Sequence, residues 1–350
     1  MGPKVAALEK AFAEYVGVRH AVAVSNGTAA LDVALKALGI RPGAEVIIPD
    51  LAYIATANAV RYQYAVPVVA DVDPGTFTLN PDDVERRITS RTKAVIPIDY
   101  GGLSSDCDRL QEICDEYGLV LLKDGAHSLG GEWRGRNLLA MGRMSTLSLH
   151  TAKVMTSIEG GMVFTNDENL AAVSRMLRNQ GEDPNQKYFH PLIGHNYRMT
   201  DVHAGFGLAQ FARLEAFLAR RREIAEAYTR AFAEHESIRL QRIPKGAKHA
   251  WFFYAILVPN RERVAKELQE RGVETRSWPY PVHTQPPYKD LAPKPGCPNA
   301  EFISSHVLNL PLFYEMTKGQ QDYVIDSVLH ILDTMIKEEG PKRTALLESS

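Results

Sequence analysis

The stretch Ser148-Leu-His-Thr-Ala-Lys153-Val-Met-Thr-Ser-Ile-Glu-Gly160-Gly161-Met-Val-Phe-Thr165 sets a lysine at the end of one apolar run and just before a glycine pair. The pattern reads as a strand end followed by a tight turn. Reactive side chains are held at such junctions. An amine becomes a carbonyl nucleophile when burial or a neighbouring cation lowers its pKa. Lys153 is therefore a candidate catalytic amine. Lysine is mostly a solvated surface residue, so the rest of the chain has to carry the assignment.

Upstream of this stretch, short apolar strands alternate with helices. His20 to Val24 reads as a buried strand, and Ser25-Asn-Gly-Thr28-Ala-Ala-Leu31 opens a helix that runs to Gly39. A strand, a small-residue turn and a helix start make an anion site, because free N–H groups and the helix dipole point to one place. Ser25, Asn26 or Thr28 also suits a plain helix cap. Strands follow at Glu45–Pro49, Val66–Ala70 and Lys93–Ile98, with helices through Arg61, over Pro81–Ile88 and over Cys107–Tyr117. Gly118-Leu-Val-Leu-Leu-Lys123-Asp124-Gly-Ala-His127 is a further strand ending in an aspartate, with a histidine three residues on. The alternation predicts an α/β fold with a mostly parallel sheet wrapped by helices. Ligands of such sheets sit at the carboxyl ends of strands. Asp124 stands there, placed either to hold a proton on a heteroaromatic nitrogen or to cap the next turn.

Downstream, Asp167–Arg178 reads as a helix and 181–191 as a polar loop. Gly194-His-Asn196-Tyr197-Arg198-Met-Thr200-Asp201 leads into one long helix, apolar at Val202, Phe206, Leu214 and Phe217 and continuing to about Phe232. The break near Glu236–Gly246 suggests a large domain over 1–236 and a smaller α+β domain over 237–337. The smaller domain reads as a strand at Trp251–Val258, a helix at Arg261–Arg271, a strand-like Thr275–Trp278 and a Pro-rich loop over Pro279–Pro298. A terminal helix then spans Gln320–Lys337, and the charged residues 338–350 read as a disordered tail.

Composition narrows the function. With 40 basic and 42 acidic residues the net charge is -2, which calls for neither nucleic acid nor an anionic membrane as partner. No apolar run approaches the ~18 residues of a membrane span. Cys107, Cys114 and Cys297 have neither metal-ligand spacing nor a disulfide framework, which fits a reducing cytoplasm. No G-x-G-x-x-G follows a strand, so the dinucleotide fingerprint is missing, and no H-E-x-x-H is present.

Taken together, these motifs resemble the sugar aminotransferases of the DegT/DnrJ/EryC1/StrS family, which are fold-type I pyridoxal 5′-phosphate enzymes. The likeness runs to about residue 335. It implies that Lys153 is the Schiff-base lysine and that Gly27, Thr28, Ala29 and Ser148 bind the cofactor phosphate. It further implies that Tyr53 stacks on the pyridine ring, Asp124 pairs with the ring nitrogen and His127 contacts the hydroxyl side. Asn196-Tyr-Arg-Met matches the segment by which a neighbouring subunit reaches the phosphate, which implies a homodimer with shared sites.

Within the family, Ile48-Pro-Asp-Leu-Ala-Tyr-Ile-Ala-Thr-Ala-Asn-Ala-Val-Arg61, Tyr188-Phe-His190 and Pro281-Val-His-Thr-Gln-Pro286 resemble a particular branch. Its enzymes move an amino group from L-glutamate to the C4 ketone of GDP-4-keto-6-deoxymannose. That likeness makes His283 and Tyr288 candidates to touch the nucleotide sugar. Three places depart from the family pattern. The usual lead-in segment ahead of the first helix is not seen, Asp99-Tyr-Gly-Gly102 replaces a His-Leu-Tyr-Gly stretch, and Ser157-Ile158 stands where a threonine-glycine pair is usual. Two rivals stand beside this reading. One is a sugar dehydratase of the same fold, whose members carry histidine in place of Lys153; the other is a catalytically inactive regulatory relative.

Overall fold

The computed structural model describes residues 1–291, 293 and 295–339. Helix α1 (Pro3–Val16) buries Val5, Leu8, Phe12 and Val16 along one face, and a left-handed Gly17 ends it. Strand β1 (His20–Val24) leads through two residues into α2 (Gly27–Ala37). The alternation continues through β2 (Glu45–Pro49), α3 (Ile54–Tyr62), β3 (Val66–Ala70), α4 (Pro81–Arg86), β4 (Thr92–Val95), α5 (Cys107–Tyr117) and β5 (Val120–Asp124). A hairpin of β6 (Glu132–Trp133) and β7 (Arg136–Asn137) precedes β8 (Met144–Ser148), β9 (Gly161–Thr165) and α6 (Glu168–Leu177).

Seven of these strands form one sheet in the order β1-β9-β8-β5-β4-β2-β3. Among them only β9 runs against the others, antiparallel to both β1 and β8. Its reversal matters for the site. Val24 and Ser148 both pair with Gly161, so the ends of β1 and β8 meet the start of β9 at one sheet edge. Asp124, the last residue of β5, pairs with Thr146 of β8 and so lies at the same edge.

The strands are apolar on both faces because helices cover both, as in other parallel sheets. A charged group sits behind the sheet. Lys123 is fully buried, and its Nζ lies 2.7 Å from Asp99 Oδ1 and 3.0 Å from Cys107 Sγ. Ser128 Oγ donates to the other Asp99 oxygen at 2.5 Å. The attraction of Asp99 outweighs the burial that would otherwise lower the Lys123 pKa, so the lysine stays charged.

A second core gathers around α8 (Leu214–Phe232), β10 (Arg239–Leu240), β12 (Tyr254–Leu257), α9 (Arg261–Glu270), β13 (Val307–Leu310) and α11 (Lys318–Glu339), while β11 (Ala247–Lys248) pairs with β6. The α8 helix serves both cores: Leu214 and Leu218 pack with α1 and β1, and Tyr228 and Phe232 with β12. Residues between the two cores fold back as well. Val282, Tyr288, Cys297, Ala300 and Ile303 join the main core, the last two from α10 (Pro298–His306).

Several expectations need correction. The long helix is broken into α7 (Asp201–Phe211) and α8, with Arg213 at φ -105 and ψ 0 between them. The α7 helix buries Ala204 and Gly207, with Gly207 against Leu8, whereas Val202 and Phe206, which the helical spacing suggested as core, are exposed. The strand expected from Trp251 starts only at Tyr254, and Arg276 makes just an isolated bridge to Asn309. The short elements α10 and β13 were not foreseen. The terminal helix runs to Glu339, and the rest of the expected tail, 340–350, lies outside the described residues.

The buried Lys123–Asp99 pair makes a test of this architecture. Lys123→Met leaves Asp99 buried and unpaired, and urea unfolding is expected to show a loss of about 3–5 kcal/mol. The double variant Lys123→Met/Asp99→Leu is expected to recover most of it.

Candidate active site

The sheet edge opens into a cleft of about 1350 Å³, larger than the roughly 300–1,000 Å³ of a usual small-molecule pocket. Its floor is the start of α2. Asn26 is the cap: its Oδ1 accepts from the Ala29 N–H at 2.8 Å. Of the three possible caps, the geometry picks this one. The Ala29 N–H is the one that Asn26 takes, while Ala29 itself lines the cleft. The N–H groups of Gly27 and Thr28 have no acceptor within the helix and carry the positive end of its dipole. Ser148 closes the cradle, so near that a Cβ on Gly27 would lie 2.8 Å from the Ser148 Cβ.

Asp124 and Lys153 face this cradle from the sheet and from the loop after β8. Asp124 is buried. Its Oδ2 accepts from Thr56 Oγ1 at 2.8 Å and its Oδ1 from the Ala126 N–H at 3.1 Å. Burial pushes its pKa up, and those two hydrogen bonds and Lys153 oppose the shift. Lys153 is half-buried, with Nζ 4.4 Å from the centre of the Phe252 ring. Burial drives its pKa down to about 8 against the pull of Asp124. At pH 7 about a tenth of such an amine is neutral, against fewer than about one in a thousand for an ordinary lysine.

His127 is buried, and burial, then Lys153, holds its pKa well below the ordinary value, so the ring is neutral. Its Nδ1 has no hydrogen-bond partner among the described residues. Tyr53 caps the start of α3 with its ring exposed at the cleft rim, 5.7 Å from the ring of Trp278.

The structure thus brings Gly27, Thr28, Ala29, Tyr53, Asp124, His127, Ser148 and Lys153 to one cleft. It leaves three candidates outside its lining. Asn196 is exposed and bridged to Asn179, although its neighbour Tyr197 lines the cleft and accepts from the Ser25 N–H at 2.8 Å. His283 lies against Asp50, its backbone N–H donating to Oδ1 at 3.0 Å and its Nδ1 2.6 Å from Oδ2. Tyr288 is buried, with its hydroxyl donating to Asn58 Oδ1. The turns after Pro281 fold back on Asp50 and α3, which draws both side chains away from the cleft of their own chain.

Sequence patterns did not single out Arg221, Phe252 and Trp278, which line the cleft, or Thr56, which holds Asp124 from behind it. Thr56 is one more small residue in a helix and gave no signal. The aromatic run Trp251-Phe-Phe-Tyr254 was a signal, and it was read as a strand.

The site has three kinds of group at three places: N–H and hydroxyl donors for an anion, a carboxylate that accepts from a protonated ring nitrogen, and an amine of lowered pKa for an aldehyde. The free helix N–H groups, the orphaned His127 nitrogen and the desolvated Asp124 all match pyridoxal phosphate. On this sheet, the site belongs to a fold-type I pyridoxal-phosphate enzyme.

The sequence profile of the DegT/DnrJ/EryC1/StrS aminotransferase family matches residues 1–329. Over 338 residues the chain is 39% identical to the GDP-perosamine synthase of Caulobacter vibrioides, covering 95% of this chain and 91% of that protein. It is similar to S. venezuelae DesV, solved in complex with a ketimine intermediate, at TM-score 0.92 and 34% identity, covering 95% and 90% of the two chains. A DegT DnrJ EryC1 StrS aminotransferase from Brucella abortus gives TM-score 0.91 at 32% identity, covering 95% and 91%. The chain belongs to the DegT/DnrJ/EryC1/StrS family and is a pyridoxal-phosphate-dependent aminotransferase.

Only the neutral amine attacks an aldehyde. The rate at which the cofactor-free protein captures pyridoxal phosphate is therefore expected to rise about tenfold from pH 7 to pH 9, following the Lys153 amine through its pKa near 8. Stopped-flow absorbance reads this rate; a rise only above pH 10 would contradict the desolvated lysine.

Proposed function

We propose that the enzyme moves the amino group of L-glutamate to the C4 ketone of a nucleotide-linked 4-keto-6-deoxyhexose, with GDP-4-keto-6-deoxymannose as first candidate. The 39% identity to GDP-perosamine synthase, spread over 95% of the chain, carries this reading. The size of the cleft supports it, since a cofactor alone would not fill it.

The assignments of residues follow the geometry. Gly27, Thr28 and Ser148 would hold the phosphate, because a phosphate needs several N–H and hydroxyl donors. Tyr53 would lie on the ring face and His127 by its hydroxyl. Asp124, oriented by Thr56, would keep the ring nitrogen protonated, and that makes the cofactor an electron sink when bound. Lys153 would hold the aldehyde. Once released by the amino donor, its Nζ carries a proton as base and then as acid.

Asn196 would act across a homodimer, reaching the partner's phosphate. The exposure of Val202 (70%), Phe206 (53%), Tyr188 (78%) and Ile193 (84%) near that segment supports a covering second copy. His283 and Tyr288 would serve the sugar only from such a partner, since neither lines its own cleft. We infer a large domain over 1–236 and a small one over 237–337, with Val282, Tyr288, Cys297, Ala300 and Ile303 packed on the main core. We also infer a cytoplasmic setting, supported by the unpaired Cys107, Cys114 and Cys297. Among the described residues no helix is long and apolar enough to cross a membrane.

Purified protein loaded with pyridoxal phosphate is expected to absorb near the visible edge and to lose that band in Lys153→Ala. With glutamate and a panel of nucleotide keto sugars, turnover is expected on a 4-keto-6-deoxyhexose. Turnover on 3-keto sugars or cyclitol ketones alone would refute the substrate.

A further inference from the structure

The short strap that crosses the cleft ahead of β12 has no place in the reaction as assigned so far. Ala250 N–H donates to Gly102 O at 2.9 Å and Phe252 N–H to Gly101 O at 2.8 Å. From the other side, Arg221 Nη1 donates to the carbonyls of Trp251 at 3.1 Å and Phe252 at 3.0 Å. These four bonds hold Trp251 at φ 53 and fix the direction of the next side chain.

The Gly101-Gly102 pair makes the seat possible. Gly102 has φ +103, and a Cβ there would lie 2.8 Å from the Ala250 Cβ and 3.1 Å from the Trp251 nitrogen. The departure at Asp99-Tyr-Gly-Gly102 thus gains a physical role: it lets the strap lie close over the turn.

The strap delivers the Phe252 ring to the reacting end of the cleft. His127 stacks on it at 4.2 Å and 20°, and the Lys153 Nζ stands over it at 4.4 Å. The same ring is thus within contact distance of both. We propose that Phe252 is the resting place of the Lys153 ammonium, a positioning residue that keeps the amine over its ring whenever the lysine is not joined to the cofactor. This rests on Lys153 being the cofactor-binding amine, as proposed above.

The physics is that of a desolvated cation on an aromatic face, whose negative quadrupole replaces part of the lost water. Two features suit the ring to this task. Burial keeps His127 neutral, so its stack adds no positive charge at the ring. Asp124 attracts the amine toward the sheet edge, so the released lysine stays beside the place where it must act. The other charged groups that line the cleft are Glu159 and His150 near the lysine, Arg221 of α8, and Glu274 and Arg276; Tyr53, Tyr62, Tyr197 and Tyr323 line it as well. None of them contributes to the lowering of the Lys153 pKa as burial does.

The test titrates the lysine itself in cofactor-free protein, by carbon-13 NMR of its reductively methylated amine, with Lys153→Ala identifying the signal. Phe252→Leu is expected to lower the titration midpoint by about half a unit to one and a half units, and Phe252→Trp to restore it. A ring-trifluorinated phenylalanine at 252 is expected to fall between. It keeps the shape and weakens the quadrupole, so it decides the matter if the leucine variant does not fold. A midpoint unmoved by both fluorination and leucine would overturn the proposal. Loss of the near-visible band in Lys153→Ala tests the cofactor assignment separately, so the two ideas fail on different readings.

Discussion

A carboxylate taken out of water at the end of a strand has to be answered by donors and a cation, and that demand organises this cleft. Asp124 is buried, and Thr56 and the Ala126 N–H stabilise its charge without cancelling it. Lys153 faces it from another loop, and its own burial makes it a nucleophile near neutral pH. Neither group would be useful in water: an exposed aspartate would not hold a ring nitrogen protonated, and an exposed lysine would stay charged.

The strand that carries Asp124 manages two charges on two faces. Side chains alternate along β5, so Lys123 points behind the sheet and Asp124 in front. Lys123 is neutralised by Asp99, which Ser128 and the Ser105 N–H also hold. A buried pair of this kind adds little net stability over an apolar filling, but losing one partner is costly. It ties the chain at Asp99 to the turn that presents His127. The same chain segment then provides Gly101 and Gly102 for the strap. Back and front of the sheet are thus joined by residues only a few positions apart.

The two cores share elements, and this sharing gives the cleft its walls. The α8 helix packs its first turns against α1 and β1 and its last turns against β12. Arg221 sits between those two stretches, where its guanidinium can hold the strap. Val282, Tyr288, Cys297, Ala300 and Ile303 return to the main core, and His283 fastens the Asp50 turn that leads to Tyr53. The cleft is therefore lined from both sides by rigid packed elements, with the strap as their bridge.

Much of this was legible in the chain itself. The alternation of short apolar strands with helices fixed the α/β class. The small-residue turn at Ser25–Thr28, the strand ending at Asp124 and the lysine before Gly160-Gly161 marked three corners of the site, because each is a local pattern with its own chemistry. What local pattern cannot carry is direction. Helical spacing put Val202 and Phe206 in the core, yet α7 turns Ala204 and Gly207 inward and leaves the larger pair exposed. His283 and Tyr288 read as substrate contacts, and long-range packing on Asp50 and Asn58 holds them outside the cleft of their own chain. Thr56, Arg221 and Phe252 reach the site only because residues 68, 68 and 99 positions from Asp124, Lys153 and Lys153 respectively are folded against it. Sequence determined which groups were available; tertiary structure decided which of them lost their water together, since burial is a property of the assembled chain and not of any one stretch.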